Sequence, residues 1–389
     1  MSTKRALATL LIVCLTPVIA TTQVFTVTDL GPLTPTGINT WGQVVGDYNN
    51  HAYMWTSFGG MKDLGLLPGG TFSVAAAIND RGMVTGTASG PGIDPIYNVP
   101  CSEVIQPFLW TQKDGMIGLG VINADTSLGF EDCDVVAFTA TDINVRGQII
   151  GYTQEAGTIQ WALSWTKKDG MIVFGFDWPP TFANAVNSTG QIVGQNPPNN
   201  LCIGHATWWK NPTAYDLTPG VDLGALGTSD ILGMDFSSAA NGVNDFGQIV
   251  GWSTTGVVSA YNGTTSPVHA VLWSPQGAIQ DLGTLTGDSS SAASKINLLG
   301  QVIGSSGDTL YTSAECMGEG YPLEVSGRPF IWSVRSGMQN LNALIRQNTG
   351  WVLGSANDIN VWGQIVGEGT LNGQPHGFLL TPRNPFQPY

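Results

Sequence analysis

A chain of 389 residues with 42% hydrophobic and only 11% charged residues, 51 Gly and 22 Pro is too apolar to be disordered and too poor in charged helix formers to be helical. Val, Ile, Thr and Trp set among so many turn residues predict an all-β protein. A formal net charge of −14 excludes a general nucleic-acid binder, because nothing could neutralise a run of phosphates.

Residues 1–20 read as a signal peptide: Lys4 and Arg5 precede an apolar run from Ala6 to Ile19, with Val18-Ile19-Ala20 as the cleavage site. No other apolar stretch approaches the roughly 18 residues of a membrane span. The expectation is an exported protein with no membrane span in the mature chain, secreted, periplasmic or on a bacterial cell surface. Residues 21–382 form one domain and 383–389 a short tail.

The first element after the signal is Thr26-Val27-Thr28-Asp29-Leu30-Gly31. A phrase of the form Ile-Asn-x-x-Gly-Gln-Val-Val-Gly then recurs, with its Asn at Asn39, Asn79, Asn144, Asn187, Asn244, Asn297 and Asn360, a period of 40 to 65 residues. Each copy is followed by His-Ala-x-x-Trp, seen at His51, His205 and His269 and drifted at Gln106, Trp161, Arg328 and His376. A third phrase, Gly-Met-x-Asp-Leu-Gly, starts at Gly60, Gly115 and Gly170, with weaker forms at Ala214, Gly277 and Gly337. The apolar stretch before each Asn is strand one, and Asn-x-x-Gly is a tight turn into strand two. The second and third phrases are strands three and four.

Four short antiparallel strands per unit, seven times over, predict a seven-bladed β-propeller. The last unit lacks its fourth strand, and the early Thr-Val-Thr-Asp-Leu-Gly is a spare copy of it. The N-terminal strand should therefore complete the last blade and remove the open edges.

These phrases resemble the HAF-type extracellular repeat family of bacteria, through His51-Ala52-Tyr53-Met54-Trp55, Asp281-Leu282-Gly283-Thr284-Leu285 and Asn244-Asp245-Phe246-Gly247-Gln248. The resemblance covers nearly the whole mature chain. It implies an exported repeat protein of unassigned function.

The turns between strands one and two and between three and four read as constant in length. Length variation falls on the connections after strands two and four, at one end of the blades. Most of the 28 acidic residues fall there, with only Lys295 and Arg346 as bases, while Arg81, Arg146, Lys113, Lys167, Lys168, Lys210 and Arg335 sit near the constant turns. The elaborated, acidic face is thus the expected working surface.

All four histidines, His51, His205, His269 and His376, occupy one repeated slot, so they read as structural, as do the seven Asn. That leaves no base for a Ser-His-Asp or Cys-His site. The acidic cluster Glu131-Asp132-Cys133-Asp134, with Asp125 and Asp142 nearby, is a candidate calcium site of hard oxygen ligands, although it lacks the spacing of an EF-hand loop. A second acidic group is Glu315, Glu319 and Glu324.

Cys101, Cys133, Cys202 and Cys316 form an even set, which predicts two disulfides in an oxidising compartment. Cys101 is expected to pair with Cys133 on one face, and Cys202 with Cys316 by elimination. Loop aromatics Trp178, Tyr261, Tyr321 and Trp351 could stack on sugars or pack the loops, and the strand-three Trp residues read as inter-blade core.

The expected function is a non-enzymatic binding module for an extracytoplasmic protein or glycan, with no cofactor beyond a possible calcium ion. The rival readings are a carbohydrate-active enzyme with two loop carboxylates in one pocket, and a structural envelope or matrix protein.

Overall fold

Each Asn-x-x-Gly turn closes as its residues require. Gly42 N donates to the Asn39 carbonyl at 3.0 Å and Asn39 N to the Gln43 carbonyl at 3.1 Å, and the other six turns repeat the pair. The turn glycines lie between φ +72° and +89°, a region that Gly enters without steric cost.

The strands on either side pair antiparallel, with a one-residue bulge in strand one, as between Pro35 and Gly37 or Ala140 and Asp142. The bulge presses the strand-one backbone onto the last Gly of Gln-Val-Val-Gly. A Cβ at Gly46, Gly86 or Gly251 would overlap the carbonyl oxygen of Thr34, Val74 or Ala239. That glycine is fixed by close backbone approach.

The computed structural model describes residues 25–93, 100–120, 137–155, 158–175, 181–196, 204–213, 220–227, 237–256, 267–310 and 324–383. They form seven antiparallel sheets, the blades of an all-β propeller. Blade one is Thr34–Ile38, Val44–Tyr48, His51–Thr56 and Gly60–Asp63, in spatial and chain order. Blades two to six repeat that order. In blade seven strand one is split into Trp351–Leu353 and Asp358–Ile359, and the fourth strand is the N-terminal Phe25–Asp29, paired with Gln374–Pro382. The ring closes as the spare phrase predicted.

The core lies between neighbouring blades. Val45 and Met54 of blade one meet Phe108 and Trp110 of blade two, and Val250 and Leu272 of blade five meet Phe330 and Trp332 of blade six. Trp110, Trp209, Trp273 and Trp332 are buried, as an inter-blade role requires. Of the loop aromatics, Trp351 packs edge-on against His376 and Phe378, with ring centroids 6.2 and 6.1 Å away; Trp178, Tyr261 and Tyr321 lie outside the described residues.

Blade four corrects the sequence reading. Its fourth strand is Val221–Asp222, opposite Trp208 and Thr207, rather than the phrase at 214–217. The Asp-Leu must be followed by a residue that tolerates positive φ. Leu223 is followed by Gly224 at φ +70°, whereas Leu217 is followed by Thr218-Pro219. The connection before this strand therefore breaks the constant turn length found in the other blades.

Candidate functional site

The seven Asn side chains do more than shape their own turns. In blade six, Asn297 Oδ1 accepts from Leu299 N and Gln301 N, both at 3.0 Å, and Nδ2 donates to Gln301 Oε1 at 2.7 Å. The same Nδ2 also reaches the Asn360 carbonyl of the next blade at 3.0 Å. This last bond occurs in every blade: Asn39 to Asn79, Asn79 to Asn144, Asn144 to Asn187, Asn187 to Asn244, Asn244 to Asn297, Asn297 to Asn360, and Asn360 back to Asn39. A closed circle of buried hydrogen bonds thus surrounds the axis at the constant face.

A second tier lies deeper along strand one. Thr36, Thr141, Asn184, Asn241, Ser294 and Asn357 each donate a side-chain hydrogen to a carbonyl of the following blade. Blade two carries Ala76 in that position.

Between this tier and the Asn circle, one residue nearer the turn on each inner strand, the axis opens into a cavity of about 140 Å³ whose lining includes Asp142, Lys295 and Asp358. Gly37, Ala77, Ala185 and Gly242 hold the same position in the other blades, and their small size leaves the space. Both carboxylates are anchored. Asp358 accepts from Ile38 N and Ile359 N at 2.8 Å, and Asp142 from Ile143 N at 2.8 Å and Val186 N at 2.9 Å. Burial pushes the Asp358 carboxyl above its ordinary value against the pull of Lys295 and of the two N–H groups, and the Asp142 charge adds to the rise.

Two expectations change here. Asp142 belongs to the axis rather than to the acidic loop cluster, and Lys295 is an inner-strand residue rather than a loop base. The rival enzyme reading asks for loop carboxylates with aromatics beside them. This cavity holds inner-strand carboxylates among Thr, Ala, Gly, Val and Ile.

At the opposite end of the blades, each His Nδ1–H donates to the Asp of its own strand four. The distances are 2.9 Å for His51–Asp63, His205–Asp222 and His269–Asp281, and 2.8 Å for His376–Asp29. Each Asp also accepts from the N–H of the Gly two residues on, at 2.7 to 2.8 Å. A Ser on the next blade completes the latch: Ser73 Oγ donates to Gly65 O and accepts from Ala52 N, both at 2.9 Å. Ser238 and Ser291 repeat this.

The blades without His also lack the Asp. The corresponding pairs are Gln106 with Gly118, Trp161 with Val173, and Arg328 with Asn340. In blade two Gln106 Oε1 takes over the carboxylate's task and accepts from Gly120 N at 2.9 Å. The two positions change together because each exists for the other.

Burial alone would raise the Asp222 carboxyl, but its bonds to His205 and Gly224 N, together with the His205 charge, hold it below its ordinary value. Asp29 is lowered in the same way by His376 and Gly31. A carboxyl lowered by folding stabilises the fold above its unfolded pKa and loses that contribution as pH falls through its folded pKa. The unfolding midpoint of Asp222→Asn should therefore lie furthest below wild type above about pH 5 and converge on it below about pH 3. Thermal melts across that range check this, and a gap independent of pH would contradict it.

The two faces differ. Most turns at the Asn end are short. At the other end, strands two and three of blade two run to Ile93 and Pro100, and those of blade six to Leu310 and Glu324, well beyond their five- and six-residue counterparts in blade one. Described carboxylates at that end include Asp47, Glu103, Asp308 and Glu368. Burial raises Asp47, and burial together with the Asp47 charge raises Glu368. Arg328 lies there as well, paired with Asp288 at 2.6 Å.

The calcium candidates Glu131, Asp132 and Asp134 lie outside the described residues, as do Asp125, Glu315, Glu319, Cys133, Cys202 and Cys316. Cys101 is buried on strand three of blade two. Among the described residues, no group of three or more His, Cys, Asp or Glu is placed to hold a metal. No helix among them is long and apolar enough to cross a membrane.

The chain matches no family model and no curated protein. Solved structures do match. An oligogalacturonate lyase in complex with manganese is 12% identical, with a TM-score of 0.50 over 94% of this chain and 96% of its own. A virginiamycin B lyase from Staphylococcus aureus is 11% identical, with a TM-score of 0.46 over 91% of this chain and 99% of its own. At such identities the likeness concerns the fold alone.

Proposed function

We propose that the protein is an exported binding module that recognises an extracytoplasmic protein or glycan through its acidic, elaborated face. The observation that carries this reading is the asymmetry of the ring. One end is held by two tiers of inter-blade hydrogen bonds and carries mostly short turns. The other end presents long hairpins from blades two and six, with carboxylates around them. Recognition concentrates on variable segments held by a rigid scaffold. The signal-like residues 1–20 and the resemblance to HAF-type repeats support export.

Two disulfides belong to the same reading. Cys101 sits on the extended hairpin of blade two and is engaged with another group, which supports its place in a disulfide; with Cys133 as the partner this bond would brace the working face.

The test replaces residues 94–99 and 311–323 with two-residue turns of the Asn372-Gly373 kind and screens wild type and grafts on arrays of polysaccharides and surface proteins. Wild type is expected to be retained on at least one ligand. Both grafts should lose about tenfold or more in affinity; the 94–99 graft should keep the wild-type unfolding midpoint, and the 311–323 graft, which also removes Cys316, should keep the midpoint of Cys316→Ser. Grafts that bind as well as wild type, or wild type that binds nothing, would sink the proposal.

A further inference from the structure

The Asn and Gly close each Asn-x-x-Gly turn, so the turn itself does not fix its second and third residues, although Asp80 and Asp245 accept from Thr40 N and Ser188 N of the preceding blade at 2.8 Å. Blades two, three and four fill them with Asp80-Arg81, Val145-Arg146 and Ser188-Thr189. Blades five, six, seven and one instead carry Asp245-Phe246, Leu298-Leu299, Val361-Trp362 and Thr40-Trp41. The outer turns add Phe58 in blade one and Val334 in blade six. Phe58, Val334 and Trp41 are 102%, 83% and 76% exposed, and Phe246 and Leu299 are 68% and 64% exposed.

These residues form one continuous arc over four adjacent blades. The two Trp rings in it are held across the seams between blades, Trp362 Nε1 on Thr40 O at 3.0 Å and Trp41 Nε1 on Asp80 O at 2.9 Å. The rest of the same face is basic: Arg81, Lys113, Arg146, Lys167, Lys168 and Lys210, against Asp80, Asp114 and Asp169. The acidic loops lie at the far end.

We propose that this face docks the protein on an anionic membrane surface, with the apolar arc entering the headgroup region and the basic half-ring meeting the lipid charges. The inference is independent of the reading given for the opposite face. Four properties support it. The turns share one conformation, so their tips stand at one level around the axis. The fold does not ask for apolar residues there, because Ser188-Thr189 makes the same turn. Leu298, Leu299 and Val334 offer no ring for a sugar to stack on, yet suit an interfacial, apolar environment. The cations complement lipid phosphates and would be attracted to them at close range. The net charge of −14 does not prevent this, since charges on the far loops are screened beyond a Debye length of about 8 Å.

The experiment is co-sedimentation of the intact protein with vesicles of phosphatidylcholine alone and with about 30% phosphatidylglycerol. Binding to the anionic vesicles is expected, about tenfold weaker to the neutral ones and reduced by salt. The Trp41→Ser/Leu299→Ser/Trp362→Ser variant should lose about tenfold or more, and Lys167→Glu/Lys168→Glu should lose most of the preference for anionic lipid. Unfolding midpoints within a few degrees of wild type would show that both variants are folded. Leu299→Ser alone, which touches neither Trp hydrogen bond, serves if the triple variant does not fold. The proposal is overturned if the protein stays in solution with anionic vesicles, or if the folded variants sediment like wild type. It is also overturned if the face instead mediates a dimer seen by light scattering, or retains polygalacturonate without retaining vesicles.

Discussion

Removing residues 1–29 is expected to abolish cooperative folding. Five residues, Phe25 to Asp29, pair with Pro382 to Phe378 as the fourth strand of blade seven. Phe25 is 1% exposed and packs with Ile345, Leu353, Phe378 and Leu380. Asp29 holds His376, and Leu30 N and Gly31 O bind Gly377 on either side. Without the strand, Gln374–Pro382 becomes an open edge and the apolar surface that Phe25 and Val27 cover between blades six and seven is exposed. Phe25→Ala alone should cost about 3–5 kcal/mol, a large share of the roughly 5–15 kcal/mol that keeps a domain folded. Circular-dichroism melts and size exclusion read both effects: a soluble, sharply melting truncation would contradict the closure described above.

Asn297→Ala should be among the most damaging polar substitutions in the molecule. It removes two donated and two accepted hydrogen bonds from a 5% exposed position. The Gln301 N–H and Oε1 then remain buried without these partners, while the Asn360 carbonyl keeps only Gly363 N. Orphaned buried groups cost about 1–3 kcal/mol each, so a loss of about 2–4 kcal/mol is expected from urea unfolding. Asn79→Ala is the internal comparison. Residue 83 is Met where the other blades have Gln, so Asn79 has no side-chain amide partner there and should lose less. Equal losses, or losses below about 0.5 kcal/mol at both sites, would mean that the circle of Asn bonds carries no stability.

The architecture was legible because each blade repeats local chemistry. Asn, two free residues and Gly name a turn, and the spare Asp-Leu-Gly at the N-terminus names the closing strand. What joins the blades was not legible. The Asn side chain was readable as a turn former, but its second partner is a backbone carbonyl 40 to 65 residues away in six blades and 321 residues away in the seventh, and backbone carbonyls leave no trace in sequence. The His–Asp latch did leave one, since His and Asp are present or absent together in all seven units. The Ser that completes it stands in strand one of the next unit and went unread. Blade four misled because Asp216-Leu217 resembles the true Asp222-Leu223, and only Gly224 tells them apart. Asp142 and Lys295 were assigned by sequence neighbourhood and Asp358 carried no signal, whereas the ring brings all three together at the axis.

Cysteines at positions 26 and 381 would test ring closure most directly. Thr26 and Thr381 are opposite each other in the register of the closing pair, and directly opposed antiparallel residues have Cα atoms about 4.5–5.5 Å apart, within disulfide range. The Thr26→Cys/Thr381→Cys protein should form this bond within one molecule, seen by non-reducing peptide mapping, and melt at or above the wild-type midpoint. A folded protein in which the two cysteines stay reduced, or join only different molecules, would contradict a propeller closed by its N-terminal strand.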